Sequence, residues 1–418
     1  MALPRGFAAH FSRYVFWVGG NFLKKAMNTS SKDRIRVGCY YFPNYHADPR
    51  NAKIHGPGWT EWQLVRHAIP RFPGHQQPKV PLWGHEDESD PQVMEKKIDA
   101  AVDHGIDHFI FDWYHYEDGP FLERCLEQGF LKARNVDRIE FALMWANHDW
   151  INIHPMGRSF GKELLYPGLV SPKMFRAITD LIIERYFLHP SYLMVDGCPY
   201  FSVYDLSKFV EIHGSVKATR EAIDGFRERV RAAGFPDLHF NAVVWGKPVL
   251  PGETVIKDLP ELVAALGFDS VTSYVWIHHA ELNKSPYTPY DEVLSKYLQV
   301  WSRMEEEHAV PYFPNITMGW DNSPRTVQTD IWEPLPESTF SNLIGGNTPE
   351  AFQKTLELYR DRLSRRKGPN LISINAWNEW TEGSYIEPDE IHGMAYLEAV
   401  AKVFGNIASP ASCESVSV

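Results

Sequence analysis

Positive charge is in short supply in this chain of 418 residues. Lys and Arg total 42 against 53 Asp and Glu, a net charge of -11, which argues against non-specific nucleic-acid binding. Cysteine is sparse. Cys39, Cys125, Cys198 and Cys413 have no metal-like spacing and read as reduced, buried thiols of a reducing, cytoplasmic compartment. The chain has no D-x-D, no G-x-G-x-x-G and no pair of Rossmann halves, so the usual cradles for a nucleotide diphosphate are missing. Internal repeats and low-complexity linkers are absent too. The sequons at Asn28, Asn283 and Asn315 look accidental, because Asn315 falls in an apparent strand.

Aromatic residues are plentiful, at 14% with 14 Trp and 19 Tyr, a composition suited to stacking on sugar rings. Apolar runs alternate with amphipathic stretches along most of the chain. The runs predict strands over Arg36–Phe42, Asp107–Trp113, Glu140–Trp145, Tyr200–Tyr204, His239–Val244, Asp269–Tyr274, Tyr312–Thr317 and Leu371–Ala376. Between and after them, helical spacing is expected over Asp90–His104, Phe121–Arg134, Lys173–His189, Ser215–Ala233, Leu259–Leu266, Tyr290–His308, Thr348–Arg366 and Tyr396–Phe404. Asp90-Pro91, Ser171-Pro172 and Thr348-Pro349 look like helix caps followed by early prolines. Eight such alternations predict an α/β fold, one (β/α)8 TIM barrel over residues 34–405, with an extended first βα loop region from Asp48 to Pro91.

A barrel of this kind places chemistry just past the C-terminal ends of its strands. The residues there are rich in rings and hydrogen-bonding groups: Tyr41, Asn44, Tyr45 and His46; Asp112, Trp113 and Tyr114; Trp145, Asn147 and His148; Tyr204; Trp245; Tyr274; Trp320 and Asp321. Trp59, Glu61 and Trp62 come from the long first loop. Together they are expected to form a ring of substrate-binding side chains, although each alone is commonly a core group. His46, Asp112, His148 and Asp149 could form a metal site, but ordinary hydrogen-bonding roles are the better reading, and no metal or other cofactor is expected.

The last strand leads into Asn378-Glu379-Trp380-Thr381-Glu382-Gly383, with Glu387 close behind. A plain turn would carry Gly, Asn or Asp rather than two Trp bracketing Asn-Glu. Glu379 and Glu382 are three apart, so one helical turn would set their Cβ atoms ~5–6 Å apart on one face. Two carboxyls about 5–5.5 Å apart, one protonated, are what a retaining glycosidase places around its scissile bond. Glu379 and Glu382 are the candidate catalytic pair, and Asn378, Trp380 and Glu387 join the candidate binding set.

At these motifs the chain resembles the WbsX-type proteins of polysaccharide-biosynthesis clusters. Those are related to glycoside hydrolase family 99, the endo-α-mannosidases and endo-α-mannanases. The resemblance runs over roughly residues 35–405. It is carried by Tyr40-Tyr41-Phe42-Pro43-Asn44-Tyr45-His46, Gly58-Trp59-Thr60-Glu61-Trp62, Phe111-Asp112-Trp113-Tyr114 and Trp145-Ala146-Asn147-His148. Asp196-Gly197-Cys198-Pro199, Gly319-Trp320-Asp321-Asn322-Ser323-Pro324-Arg325 and Asn378-Glu379-Trp380-Thr381-Glu382-Gly383 continue it. The resemblance implies a glycan substrate, a base at Glu379 acting on the sugar 2-hydroxyl through a 1,2-anhydro intermediate, and a general acid/base at Glu382. The hydrolase pattern has His where this chain has Thr381, and the first strand motif differs. The resemblance also covers proteins described as glycosyltransferases, so three readings stay open: retaining hydrolase or transglycosidase, glycosyltransferase of cell-surface polysaccharide or lipopolysaccharide, and non-catalytic glycan-binding barrel.

Residues 1–33 have no acid before Asp33, and Phe7, Phe11, Tyr14, Val15, Val18 and Phe22 recur at helical spacing. The apolar portion is too short to span a bilayer. A basic amphipathic segment of this kind suits peripheral contact with an anionic membrane surface through residues 1–28. The Ser-rich end, residues 406–418, is expected to be a disordered tail.

Overall fold

The computed structural model describes residues 34–157, 162–333, 342–366 and 368–405. The basic segment, the Ser-rich tail and Cys413 lie outside the described residues.

Eight parallel strands form the barrel. They are β1 (Ile35–Tyr41), β2 (His108–Tyr116), β3 (Glu140–Trp145), β4 (Cys198–Val203), β5 (His239–Val243), β6 (Ser270–Thr272), β7 in two pieces (Tyr312–Phe313 and Asn315–Thr317) and β8 (Asn370–Asn375). Neighbours pair in sequence order and β1 pairs with β8, with every barrel pairing parallel. The first piece of β7 pairs with β6 and the second with β8. Between them sits Pro314, which has no N–H to give the ladder. Its carbonyl instead accepts from the Ser373 N–H at 3.2 Å, so the barrel closes through the break.

All eight predicted strands are present to within three residues at each end. The caps also form as read: Asp90, Ser171 and Thr348 accept from the N–H groups of Gln92, Met174 and Ala351. One helix is replaced. Where helical spacing predicted Phe121–Arg134, the chain makes a π turn over Cys125–Gly129 and a 3-10 turn over Phe130–Lys132. Gly129 lies where a Cβ would come 2.1 Å from the Glu88 carbonyl oxygen, so the excursion's backbone packs onto this turn through a residue that favours helix weakly. The helix expected over Lys173–His189 is α-helical over Pro172–Ile182 and continues as a π turn over Ile183–Phe187.

The excursion holds two short helices, Pro49–His55 and Trp62–His67, and is tied to the neighbouring loop after β8, where Glu390 N–H donates to the Val80 carbonyl. Strand alternation sets the inner face. In β2, Phe109 and Phe111 pack outward against Phe130, which turns Asp112 and Tyr114 inward at the C-terminal mouth. Cys39 and Cys125 are buried free thiols as expected, whereas Cys198 is half-buried. No helix among the described residues is long and apolar enough to cross a membrane.

Candidate active site

Beyond β8 the chain does not make the single helical turn that the Glu spacing suggested. Asn378–Glu379 pairs antiparallel with Ser384–Tyr385, and Trp380–Glu382 forms the 3-10 turn between them. Glu379 stands at the head of this turn and Glu382 at its end, and both side chains still line one cleft. Gly383 closes the turn at φ +60, and a Cβ there would lie 2.6 Å from the Asp321 Cβ. Gly383→Ala is therefore expected to cost about 1–3 kcal/mol of stability and to displace Glu382. Thermal denaturation alongside turnover checks both.

Arg325, from the loop after β7, is the cation around which the carboxyls gather. Its Nε donates to Glu61 Oε1 at 3.0 Å, one terminal nitrogen donates to Glu379 Oε2 at 3.2 Å, and the other donates to Glu382 Oε1. All four side chains are buried. Glu61 is further held by Asn44 at 2.6 Å and by the Thr381 hydroxyl. Burial pushes the Glu61 carboxyl up, but Arg325, His154 and the Thr381 hydrogen bond more than offset it and leave it below the ordinary Glu value. Glu379 and Glu382 go the other way. Burial raises both, the charge of Glu382 raises Glu379 further, and Arg325 opposes the rise in each. The two titrate as one coupled pair.

Tyr274 adds a constraint. Its hydroxyl lies 2.8 Å from Asp112 Oδ2 and 3.2 Å from Glu379 Oε1. A phenol has one hydrogen to give, so full hydrogen bonds to both need a proton on one carboxyl. Burial raises both Asp112 and Glu379 well above their ordinary values, so this pair of carboxyls holds on to a proton. Asp112 Oδ1 and Glu382 Oε2 have no partner among the described residues, leaving two buried oxygens in the cleft for a ligand.

Of the predicted residues, Asp112, Tyr114, His148, Tyr204, Tyr274, Trp320, Glu379 and Glu382 line one cleft. A second group stands behind it. The Tyr45 hydroxyl accepts from the Trp380 N–H, and Trp62 packs on Tyr45 and Trp380. Asn378 pins both backbone groups of Phe42. Glu387 accepts from the indole nitrogens of Trp377 and Trp380 and pairs with buried Lys97 at 2.6 Å. Trp245 backs the wall by packing on Tyr204 and His278, and Asn147 ties its loop to Asp205.

The remaining predicted residues do not reach the cleft. Tyr41 bonds Met94 in the core, Trp113 packs on Tyr186 and Trp145 on Phe175. His46 is buried and held near a pKa of about 4 by burial. Trp59 stacks on His55, and Asp321 faces a neighbouring cavity. His46 thus stands apart from Asp112, His148 and Asp149, which line the cleft, and no His/Cys/Asp/Glu cluster among the described residues could hold a metal ion.

Sequence reasoning missed Phe42, His154, His278 and Arg325 in the cleft lining. Glu253, which accepts from Tyr204 at 2.7 Å, was missed as well. Arg325 had one available signal: several carboxyls converging on a barrel mouth need a buried counter-charge, and Arg325 closes the Gly319–Arg325 motif after β7.

The fold and site define a (β/α)8 barrel with a buried carboxyl cluster and an aromatic-walled cleft at the C-terminal mouth of its strands. The sequence places it more narrowly. Residues 37–400 match the family described as Glycosyltransferase WbsX, and the chain belongs to that family. It is 27% identical over 392 residues to a protein of Xanthomonas campestris pv. campestris described as uncharacterized protein WxcX, covering 90% of this chain and 51% of the relative. The chain thus spans about half the length of the curated relatives it matches. Among solved structures, a glycoside hydrolase-like protein superposes with a TM-score of 0.56 at 15% identity, over 89% of this chain and 94% of that one. The GH99 endo-α-mannosidase of Bacteroides thetaiotaomicron in complex with bis-tris propane gives 0.53 at 15% identity, over 90% and 96%. Likeness at that identity is one of fold.

Proposed function

We propose that this chain is a carbohydrate-active enzyme that cleaves or transfers a glycosidic bond with retention, acting on a mannose-type polysaccharide or O-antigen-like glycan. The observation that carries the reading is the pair Glu379 and Glu382 held on the two terminal nitrogens of one guanidinium. Carboxyls on a single fork are neighbours, which supports a retaining pair, whose carboxyls stand about 5–5.5 Å apart. The cleft rings supply apolar faces for sugar C–H surfaces.

In this reading Glu379 takes the proton of the sugar 2-hydroxyl as that oxygen closes on the anomeric carbon. Glu382 gives its proton to the departing oxygen. Water or an acceptor hydroxyl then opens the ring, losing its proton to Glu382 while Glu379 returns its own. Arg325 holds the opposite charge through both halves. In the protein alone the contact of Arg325 with Glu382 favours the proton on Glu379, so substrate binding at Glu379 has to shift the shared proton towards Glu382.

The second reading is a glycosyltransferase of cell-surface polysaccharide synthesis, favoured by the family's description. A glycan screen with product anomers followed by NMR separates the two. Retention with free glycan donors supports the first reading, and turnover only with nucleotide- or lipid-linked donors supports the second. Activity is expected to survive exhaustive EDTA treatment. Loss restored by one divalent ion would point to metal-assisted chemistry.

A further inference from the structure

A second cavity of about 420 Å³ lies beside the cleft and shares Trp320 with it. That is within the ~300–1,000 Å³ of small-molecule sites. Its walls carry the rings of Tyr287, Trp320, Tyr385 and Tyr396. Two polar groups on these walls are weakly occupied. Lys79 forms no ion pair among the described residues, and its ammonium reaches the Gln76 side-chain oxygen at 3.4 Å. The Asn347 amide donates to the Met318 sulfur at 3.5 Å, a poor acceptor.

The charges facing this space do not favour an anion. Asp321 is held by His75 at 2.9 Å, Gln77 at 2.7 Å and the Ser323 N–H at 3.1 Å. Asp389 is held by the Tyr385 hydroxyl and the N–H groups of Ile391 and His392. His75 accepts the Arg71 N–H on Nδ1 and turns its other nitrogen to Asp321. Two carboxylates thus face one ammonium, which repels uronates, phosphates and nucleotide diphosphates. Flat rings with underused donors suit the faces and hydroxyls of neutral sugars.

We propose that this cavity is a second saccharide site, taking neutral hexose units of a glycan that passes over Trp320 from the carboxylate cleft. The proposal rests on the glycan reading of that cleft.

The test is calorimetric binding to the whole protein of neutral hexose oligomers (mannose, glucose and galactose) of two and five units, a uronate pentamer and UDP. Thermal denaturation checks that each variant folds. Lys79→Met and Tyr287→Ala are each expected to weaken the preferred neutral pentamer about tenfold and the dimer less than twofold. The uronate pentamer should bind wild type at least tenfold more weakly than the neutral one. The proposal is overturned if no neutral oligomer binds, if neither variant weakens the pentamer, or if uronate or UDP binds best and is lost in Lys79→Met. Tyr114→Ala, in the cleft, separates the two readings. Loss of pentamer binding there, with Lys79→Met and Tyr287→Ala silent, leaves the cleft reading standing and removes the second site. Weakening by Lys79→Met and Tyr287→Ala without turnover of any glycan keeps the second site and removes the catalytic reading.

Discussion

Replacing Arg325 with methionine is expected to abolish detectable turnover and to cost about 3–5 kcal/mol of stability, the usual penalty for leaving buried charge unpaired. Methionine fills similar space, so the loss is electrostatic. Glu61, Glu379 and Glu382 all contact this guanidinium and are buried. Without it their charges repel in a medium that screens them poorly.

The same variant carries a pH signature. In the wild type Glu61 is held below its ordinary value, so its contribution to stability is present above the unfolded-state pKa and lost as pH falls through the folded one. With Arg325 gone, the three carboxyls lose the influence that lowers them. The folded variant then binds more protons than the unfolded chain, so its stability falls as pH rises above about 4.3. The deficit relative to wild type should therefore narrow between pH 8 and pH 5. Urea denaturation across that range checks it, and a deficit that widens on acidification would show that Arg325 does not set these carboxyls.

Much of the barrel was legible because its strands are short apolar runs bounded by caps and prolines, local signals that tertiary packing did not override. The failures are where tertiary contact decides. Phe121–Arg134 has helical spacing, but Gly129 accepts a neighbouring backbone and the segment becomes π and 3-10 turns. Tyr41, Trp113 and Trp145 looked equivalent to Tyr114 and Tyr274, yet alternation at the strand ends turns them outward into packed rings. Aromatic composition cannot reveal which face a ring takes. Arg325 sits in the Gly319–Arg325 motif with no role legible in the sequence, because its three partners come from two other loops, far off along the chain. The same holds for Glu253, which meets Tyr204 and faces Glu382 only once the barrel closes.

The distinct roles of Glu379 and Glu382 carry the largest kinetic effects. A sugar alkoxide leaves only with a proton, whereas a good phenol leaves without one, and general acid help is typically worth ~10²–10⁴-fold. Glu382→Gln should therefore abolish cleavage of natural glycans while largely sparing the first step on an aryl glycoside with an acidic phenol. Glu379→Gln should cripple both substrates, because no leaving group replaces a missing base or nucleophile. Gln keeps the shape of Glu and can still accept from Arg325, so folding is the lesser concern, and circular dichroism verifies it. The deciding measurement is burst-phase phenol release by the two variants across a series of phenols. Release by Glu382→Gln that rises steeply towards wild type as the phenol becomes more acidic, with Glu379→Gln slow throughout, is the predicted result. Identical responses of the two variants, or near-wild-type cleavage of the natural glycan by either, would contradict the assignment of this pair.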